Sequence, residues 1–261
     1  MITSLQNPLV KQMRKLHRPK ERLQQHLSLL EGTHLLEEAC AVNIPLTTVC
    51  CTSDWLEEHT QLWERATQQA GRAEIVSPEV LQAIATTVQP DGVVASVARL
   101  MPRSPTFPVT LGVALETIQD PGNVGTLIRT AAAVGVDGLW ISADSVDLDH
   151  PKVLRATAGQ WFRLPMAVSA DLKQDVTSFK QLGGQVIATL PFAQTPYWEI
   201  DWQQPSLILL GNEGAGLTTE LAALADVNVT IPLMAGVESL NVAIAAAVIL
   251  YEARRQREVG V

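Results

Sequence analysis

The sequence predicts an α/β protein: a C-terminal domain built on a parallel sheet, preceded by a smaller α/β domain. Three observations predict it. Beyond residue 109, short apolar runs rich in β-branched residues alternate with helical patterns, the order expected of a parallel sheet. Residues 27–98 show a looser alternation of the same kind. Between the two, Pro102, Pro105 and Pro108 interrupt the chain, and proline at that density disfavours helix and strand alike. With 261 residues, 47% of them hydrophobic, the chain can bury one large core or two small ones without staples.

Taken in order, residues 1–26 form a basic arm, 27–100 a small α/β domain, 101–108 a linker and 109–261 the larger domain. The arm holds Lys11, Arg14, Lys15, Arg18, Lys20 and Arg22 against the single acid Glu21. The body is acidic, since the whole chain carries a net charge of −8. A basic arm on an acidic body binds phosphates locally by counterion release; the plainer alternative is a solvated amphipathic helix. In the small domain, residues 35–41 and 55–70 read as helices and 46–51 and 93–97 as strands. In the larger one, 109–115, 138–141, 185–190, 207–210 and 227–233 read as strands. Residues 124–134, 151–158 and 172–182 read as helices. A last helix runs from about residue 239 to 257, and the arginines in its final turn suit the helix dipole.

Several classes are excluded by composition. The longest apolar stretch, residues 242–251, is far short of the ~20 residues a membrane span needs. The first 16 residues lack an apolar signal core, which points to a cytoplasmic protein. Cys40, Cys50 and Cys51 fit no metal spacing, and three cysteines make no disulfide framework, so neither a metal nor an oxidising compartment is expected.

Chemistry concentrates in three loops, each following a predicted strand. The first runs Glu116-Thr-Ile-Gln-Asp-Pro-Gly-Asn123, where Asn123 falls at an expected helix N-cap and Arg129 lies within the apolar helix beyond it. The second, Gly211-Asn-Glu-Gly-Ala-Gly-Leu217, lets backbone approach a ligand closely. It lacks the Lys-Ser/Thr of a phosphate-cradling loop and the spacing of a dinucleotide fingerprint. Glu213 within it exceeds what a turn requires. The third, residues 231–241, contains Ser239, which reads as the N-cap of the last helix, and Asn241 in that helix's first turn. Polar loops at the carboxyl ends of neighbouring strands are the usual geometry of an α/β site.

These loops carry a resemblance. Asn123-Val-Gly-Thr-Leu-Ile-Arg129-Thr-Ala, Gly211-Asn-Glu-Gly-Ala-Gly-Leu217 and Ile231-Pro-Leu…Ser239-Leu-Asn-Val-Ala resemble the three motifs of the SpoU (TrmH-like) RNA ribose 2′-O-methyltransferases of the SPOUT superfamily. Lys152-Val-Leu-Arg155-Ala-Thr-Ala-Gly159 and Phe162-Arg163-Leu-Pro165 resemble a further stretch of that family. Ile2-Thr-Ser-Leu-Gln-Asn-Pro8-Leu-Val-Lys11, with Leu30-Glu31-Gly32, more loosely resembles the accessory RNA-binding domain of rRNA-directed members. Local departures are Leu233 where methionine is common, bulky Trp161, and His150 before Pro151.

The resemblance implies a trefoil-knotted C-terminal domain, S-adenosylmethionine as cofactor, RNA as substrate, and a homodimer through the C-terminal domain. Carried onto this sequence, it implies a catalytic set of Arg129, Asn123, Glu213, Ser239 and Asn241. Cofactor contacts would come from Thr189, Leu190, Gly211, Glu213, Ile231, Leu233, Ser239 and Leu240. RNA contacts would come from Arg129 and the arm residues Lys11, Arg14, Lys15 and Arg18, so removing residues 1–26 is expected to weaken RNA binding. A guanidinium that holds its proton across the physiological range is a poor base, so Arg129 reads as a clamp on phosphate and a stabiliser of developing alkoxide, held by Asn123 and Glu213. The accessory domain favours rRNA over tRNA as the target. Alternatives are a tRNA 2′-O-methyltransferase, a non-catalytic RNA-binding or ribosome-assembly factor of the same fold, and a small-molecule enzyme on a generic α/β sheet.

Overall fold

A computed structural model describes residues 1–259, with side chains to Glu258. The chain divides into two compact units, and the division does not follow chain order: Met1–Met101 and Asp147–Phe162 make the first, the rest the second.

In the first unit, α1 (Pro8–Lys15) and α2 (Pro19–Gln25) lead into β1 (Leu27–Glu31), α3 (Thr33–Ala41) and β2 (Leu46–Cys51). There follow α4 (Ser53–Glu58), α5 (Thr60–Gln68), β3 (Ala73–Ile75), α6 (Pro78–Ile84) and β4 (Val93–Ala98). The strands form one sheet in the order β1-β4-β2-β3, with β4 antiparallel to both neighbours. The helix expected over residues 55–70 is two helices broken at His59, which adopts φ −125° and ψ 37°. Within the first of them Trp55 is buried, and its indole N–H donates to Thr33 Oγ1 at 2.7 Å, tying α4 to the start of α3.

The basic arm is not a separate arm. Asn7 caps α1, with Pro8 at the first helical position, and Leu9, Val10, Met13 and Leu16 join Leu29, Val80, Leu81 and Ile84 in one core. Lys11, Arg14 and Lys15 of α1 and Arg18, which precedes α2, are all exposed. Arg22 belongs to the interior: it is fully buried and ion-paired to Asp147 at 2.9 Å and Asp149 at 3.2 Å.

The second unit begins with the proline segment, which is part of its packing rather than a free linker. Arg103 O accepts the Met166 N–H, and Pro105 lies so close to Gly138 that a Cβ there would overlap its ring. Then come β5 (Leu111–Leu115), α7 (Pro121–Val134) and β6 (Gly138–Ser142). After β6 the chain leaves for the first unit, where α8 (Pro151–Ala156) packs on β1 and Arg155 pairs with the buried Glu31 at 2.6 Å. In space this excursion belongs to the first compact unit, although in chain order it lies within the stretch 109–261. It returns to build β7 (Met166–Ser169), α9 (Leu172–Gln181), β8 (Gln185–Thr189), β9 (Thr195–Pro196), β10 (Ser206–Leu210), α10 (Thr219–Ala222), β11 (Val227–Thr230) and α11 (Val242–Val259).

The seven strands lie in the order β7-β6-β5-β10-β8-β11-β9 and pair in parallel throughout. Strands β5, β10 and most of β8 are buried on both faces, which explains their continuous apolar runs. The chain builds outward from β5 to β7, then crosses to the other half. The order therefore reverses beside β5, and in such sheets ligands bind at the carboxyl ends next to the reversal. Among the described residues no helix is long and apolar enough to cross a membrane.

Candidate functional site

The loops after β5, β10 and β11 meet at that edge of the sheet. The first is held by a bend at Thr117. Thr117 adopts a left-handed conformation (φ 56°) and donates its N–H to Ser142 Oγ at 2.8 Å and its hydroxyl to Asp144 at 2.8 Å. Ile118 N–H donates to Ser145 Oγ at 3.0 Å. Hydrogen bonds from the Ser142 and Thr117 hydroxyls hold the Asp144 carboxyl below its ordinary pKa. The loop thus rests on β6 before it enters α7.

The cap of α7 is Asp120, whose carboxylate accepts from the backbone of Gly122 and Asn123, with Pro121 at the first helical position. Asn123 was expected there. Relieved of capping, its side chain spans two loops: Nδ2 donates to Glu213 at 3.0 Å, and Oδ1 accepts from Asn241 Nδ2 at 2.9 Å. Asn241, rather than Ser239, begins the last helix. Its Oδ1 accepts from Ala243 N–H at 2.9 Å and Ile244 N–H at 3.3 Å, and α11 starts at Val242.

Glu213 gathers the first loop onto the second. Besides Asn123, it accepts from the backbone N–H groups of Asp120 at 3.2 Å and Gln119 at 3.3 Å. Burial raises its pKa, but the bonds from Asn123 and those two amides outweigh that and leave it below the ordinary value. It is an anion at neutral pH and a poor proton acceptor. The glycine loop itself is a tight hairpin in which Asn212 and Gly216 exchange backbone hydrogen bonds at 3.0 and 2.9 Å. Gly211 is required at its base, because a Cβ there would overlap the backbone of Gly216 and Leu217.

Asn123, Glu213 and Asn241 are therefore bonded directly into one network. Arg129 is not joined to it. It lies on the exposed stripe of α7 with Thr126 and Ala133, and bonds to neither Asn123 nor Glu213, which were expected to hold it. Ser239 is exposed in the loop after β11, which ends at Thr230 and leaves Ile231 and Leu233 beyond it. Residues 231–240 contain one internal backbone hydrogen bond among the described residues, Val237 N–H to Met234 O, so most of that backbone is open to a ligand. At the end of β8, Leu190 packs against the sheet core and donates its N–H to Val229 O, while Thr189 Oγ1 is buried with no partner. The sequence reading missed Asp120, Asp144, Asn212, Glu116 and Thr218. Only Asp120 carried a local signal, an acid directly before proline at a helix start.

The matches to known proteins agree with this geometry. Residues 110–251, more than half of the chain, match the SpoU rRNA methylase family, and residues 7–95 match an MRM3-like substrate binding domain. The chain is 49% identical over 257 residues to an uncharacterized tRNA/rRNA methyltransferase of Synechocystis sp., covering 98% of this chain and 94% of that protein. It is 33% identical over 253 residues to the 23S rRNA guanosine 2′-O-methyltransferase RlmP of Bacillus subtilis, covering 97% and 98%. The crystal structure of an AdoMet-bound rRNA methyltransferase from Sinorhizobium meliloti superposes with a TM-score of 0.84 at 31% identity over 97% of each chain. With a family match that spans the whole seven-stranded sheet and more than half of the chain, this chain belongs to the SpoU rRNA methylase family.

Proposed function

We propose that the chain transfers the methyl group of S-adenosylmethionine to a ribose 2′-hydroxyl of ribosomal RNA, as a cytoplasmic homodimer. One observation carries the reading: Asn123, Glu213 and Asn241 lock three loops together around strand ends that also present an unsatisfied buried hydroxyl and an open backbone. The residues present fit the cofactor. Thr189 Oγ1 is an orphaned buried polar atom of the kind a ligand satisfies, and Gly211 keeps the hairpin free of a side chain. Thr189, Leu190, Gly211, Ile231, Leu233, Ser239 and Leu240 would hold it, largely through backbone. When bound, S-adenosylmethionine supplies an electrophilic methyl group on a sulfonium.

The chain's own residues then have separable tasks. Glu213 and Asn123, hydrogen-bonded to each other across two loops, hold the loops in place. Arg129, exposed and unpaired, reaches the RNA, grips the phosphate beside the target ribose and stabilises the developing alkoxide. Because its guanidinium stays charged, the proton goes to a phosphate oxygen or to water. Full-length similarity to RlmP, together with the match of residues 7–95 to a substrate-binding domain, favours rRNA as the target. Exposed Ile244 and Tyr251 on α11 and Met234 and Val237 in the loop before it favour the dimer. The placement of β10 between β5 and β8 favours a knotted path.

The test is methylation of unmodified rRNA with radiolabelled cofactor by wild type and Arg129→Lys. A loss of tenfold or more in kcat, on the order of the value of a charge-assisted hydrogen bond, is expected with RNA affinity retained. Near-normal turnover by the lysine variant defeats the clamp, and no incorporation by wild type into any RNA defeats the reading.

A further inference from the structure

Glu213 reaches from the glycine loop to the first loop, and a second carboxylate reaches the other way. Glu116, the residue immediately after β5, accepts from Thr218 twice: from its backbone N–H at Oε2, 2.7 Å, and from its hydroxyl at Oε1, 2.7 Å. Thr218 directly follows the hairpin and caps α10, its Oγ1 accepting from Leu221 N–H at 3.3 Å. Near the start of the hairpin, Asn212 Nδ2 donates to Thr117 O at 2.8 Å. Residues 211–218 are thus pinned to residues 116–123 at both ends and in the middle. Each loop contributes one carboxylate, and each carboxylate accepts backbone N–H donors of the other.

We propose that Glu116 is a positioning residue for the cofactor loop: with Glu213 it forms a reciprocal two-carboxylate staple, and its task is to fix the backbone of 211–218 for S-adenosylmethionine. This rests on the methyltransferase reading above. The geometry separates Glu116 from a catalytic role, since both of its oxygens accept from Thr218 and it is not hydrogen-bonded to Asn123, Glu213, Asn241 or Arg129. Removing one carboxylate leaves the hairpin held at its start by Asn212 and in its middle by Glu213, but frees its exit. The consequence is a poorly formed cofactor cradle rather than a lost reaction step.

The staple and the reading are separable by experiment. In the cofactor-free protein, hydrogen exchange of the segment 211–221 is expected to be faster in Glu116→Ala and Thr218→Val than in wild type, and to return to the wild-type rate in Thr218→Ser, which keeps the hydroxyl. Calorimetry with S-adenosylmethionine is expected to show about tenfold or greater weakening for the first two variants, the scale of a lost charge-assisted hydrogen-bond pair. KM for the cofactor rises in parallel, while kcat at saturation and RNA affinity stay within about threefold. Wild-type exchange in Glu116→Ala, or wild-type affinity despite faster exchange, overturns the proposal. A wild-type chain that binds no S-adenosylmethionine overturns the methyltransferase reading, and the cofactor role of Glu116 falls with it even if the exchange difference remains.

Discussion

At the scale of single residues, the site depends on amides that work with both ends. Asn241 caps α11 with its oxygen and holds Asn123 with its nitrogen, so helix start and loop closure share one side chain. The two tasks come apart in Asn241→Asp. That substitution keeps the capping oxygen but loses the donor to Asn123, so stability in urea is expected to stay close to wild type while methyl transfer falls about tenfold. Asn241→Ala loses both, and its unfolding free energy is expected to drop by about 1 kcal/mol. If the aspartate variant retains full activity, the Asn123 contact has no part in the reaction. Arg129 is the opposite case: it is exposed on α7, and it is not joined to the Asn123–Glu213–Asn241 network.

At the scale of elements, the helix starts decide which side chains are free. Asp120 takes the cap of α7, which moves Asn123 into the first turn and aims it across the loops. The glycine loop is an element in its own right, and its shape depends on Gly211. In Gly211→Ala the added methyl meets backbone that no rotamer change can move aside. We expect a folded protein by circular dichroism whose affinity for S-adenosylmethionine is reduced tenfold or more, because the hairpin must open to admit the methyl group. A wild-type affinity would show that the hairpin is not part of the cradle.

At the scale of the whole molecule, chain order and compact units diverge. Asp147–Phe162 lies inside the family's sheet domain in sequence yet completes the first unit in space. Its anchor is ionic: Asp149 accepts from buried Arg22 and from Arg99 at 3.1 Å, and Ser28 donates to it at 3.2 Å. The basic residues of the N-terminus divide accordingly, with Arg22 structural and Lys11, Arg14, Lys15 and Arg18 facing solvent. Deleting residues 1–26 therefore removes Leu9, Val10, Met13 and Leu16 from a core and confounds RNA binding with folding. The cleaner experiment changes the four exposed cations to glutamine. Weaker rRNA binding is expected, with the slope of log K against log salt reduced by up to about 3, as counterion release requires. An unchanged salt slope would assign these four cations of the N-terminal segment to solvation alone.

The sequence by itself determined the α/β class, the central strands β5, β6, β8 and β10, and the three strand-end loops with Asn123, Glu213 and Asn241. All of these leave local marks: continuous apolar runs for strands buried on both faces, and polar residues out of place in apolar surroundings. Short strands such as β3, β7 and β9 left no such mark. Only the tertiary structure decided that Asn123 bridges Glu213 and Asn241, that Glu116 grips Thr218 across 102 positions, and that 147–162 and the N-terminal helices complete one unit. The physical reason is range. A salt bridge or a contact between loops depends on which partner arrives in space, and Asp149 with Arg22, or Glu213 with Asn123, are meetings that no local periodicity encodes.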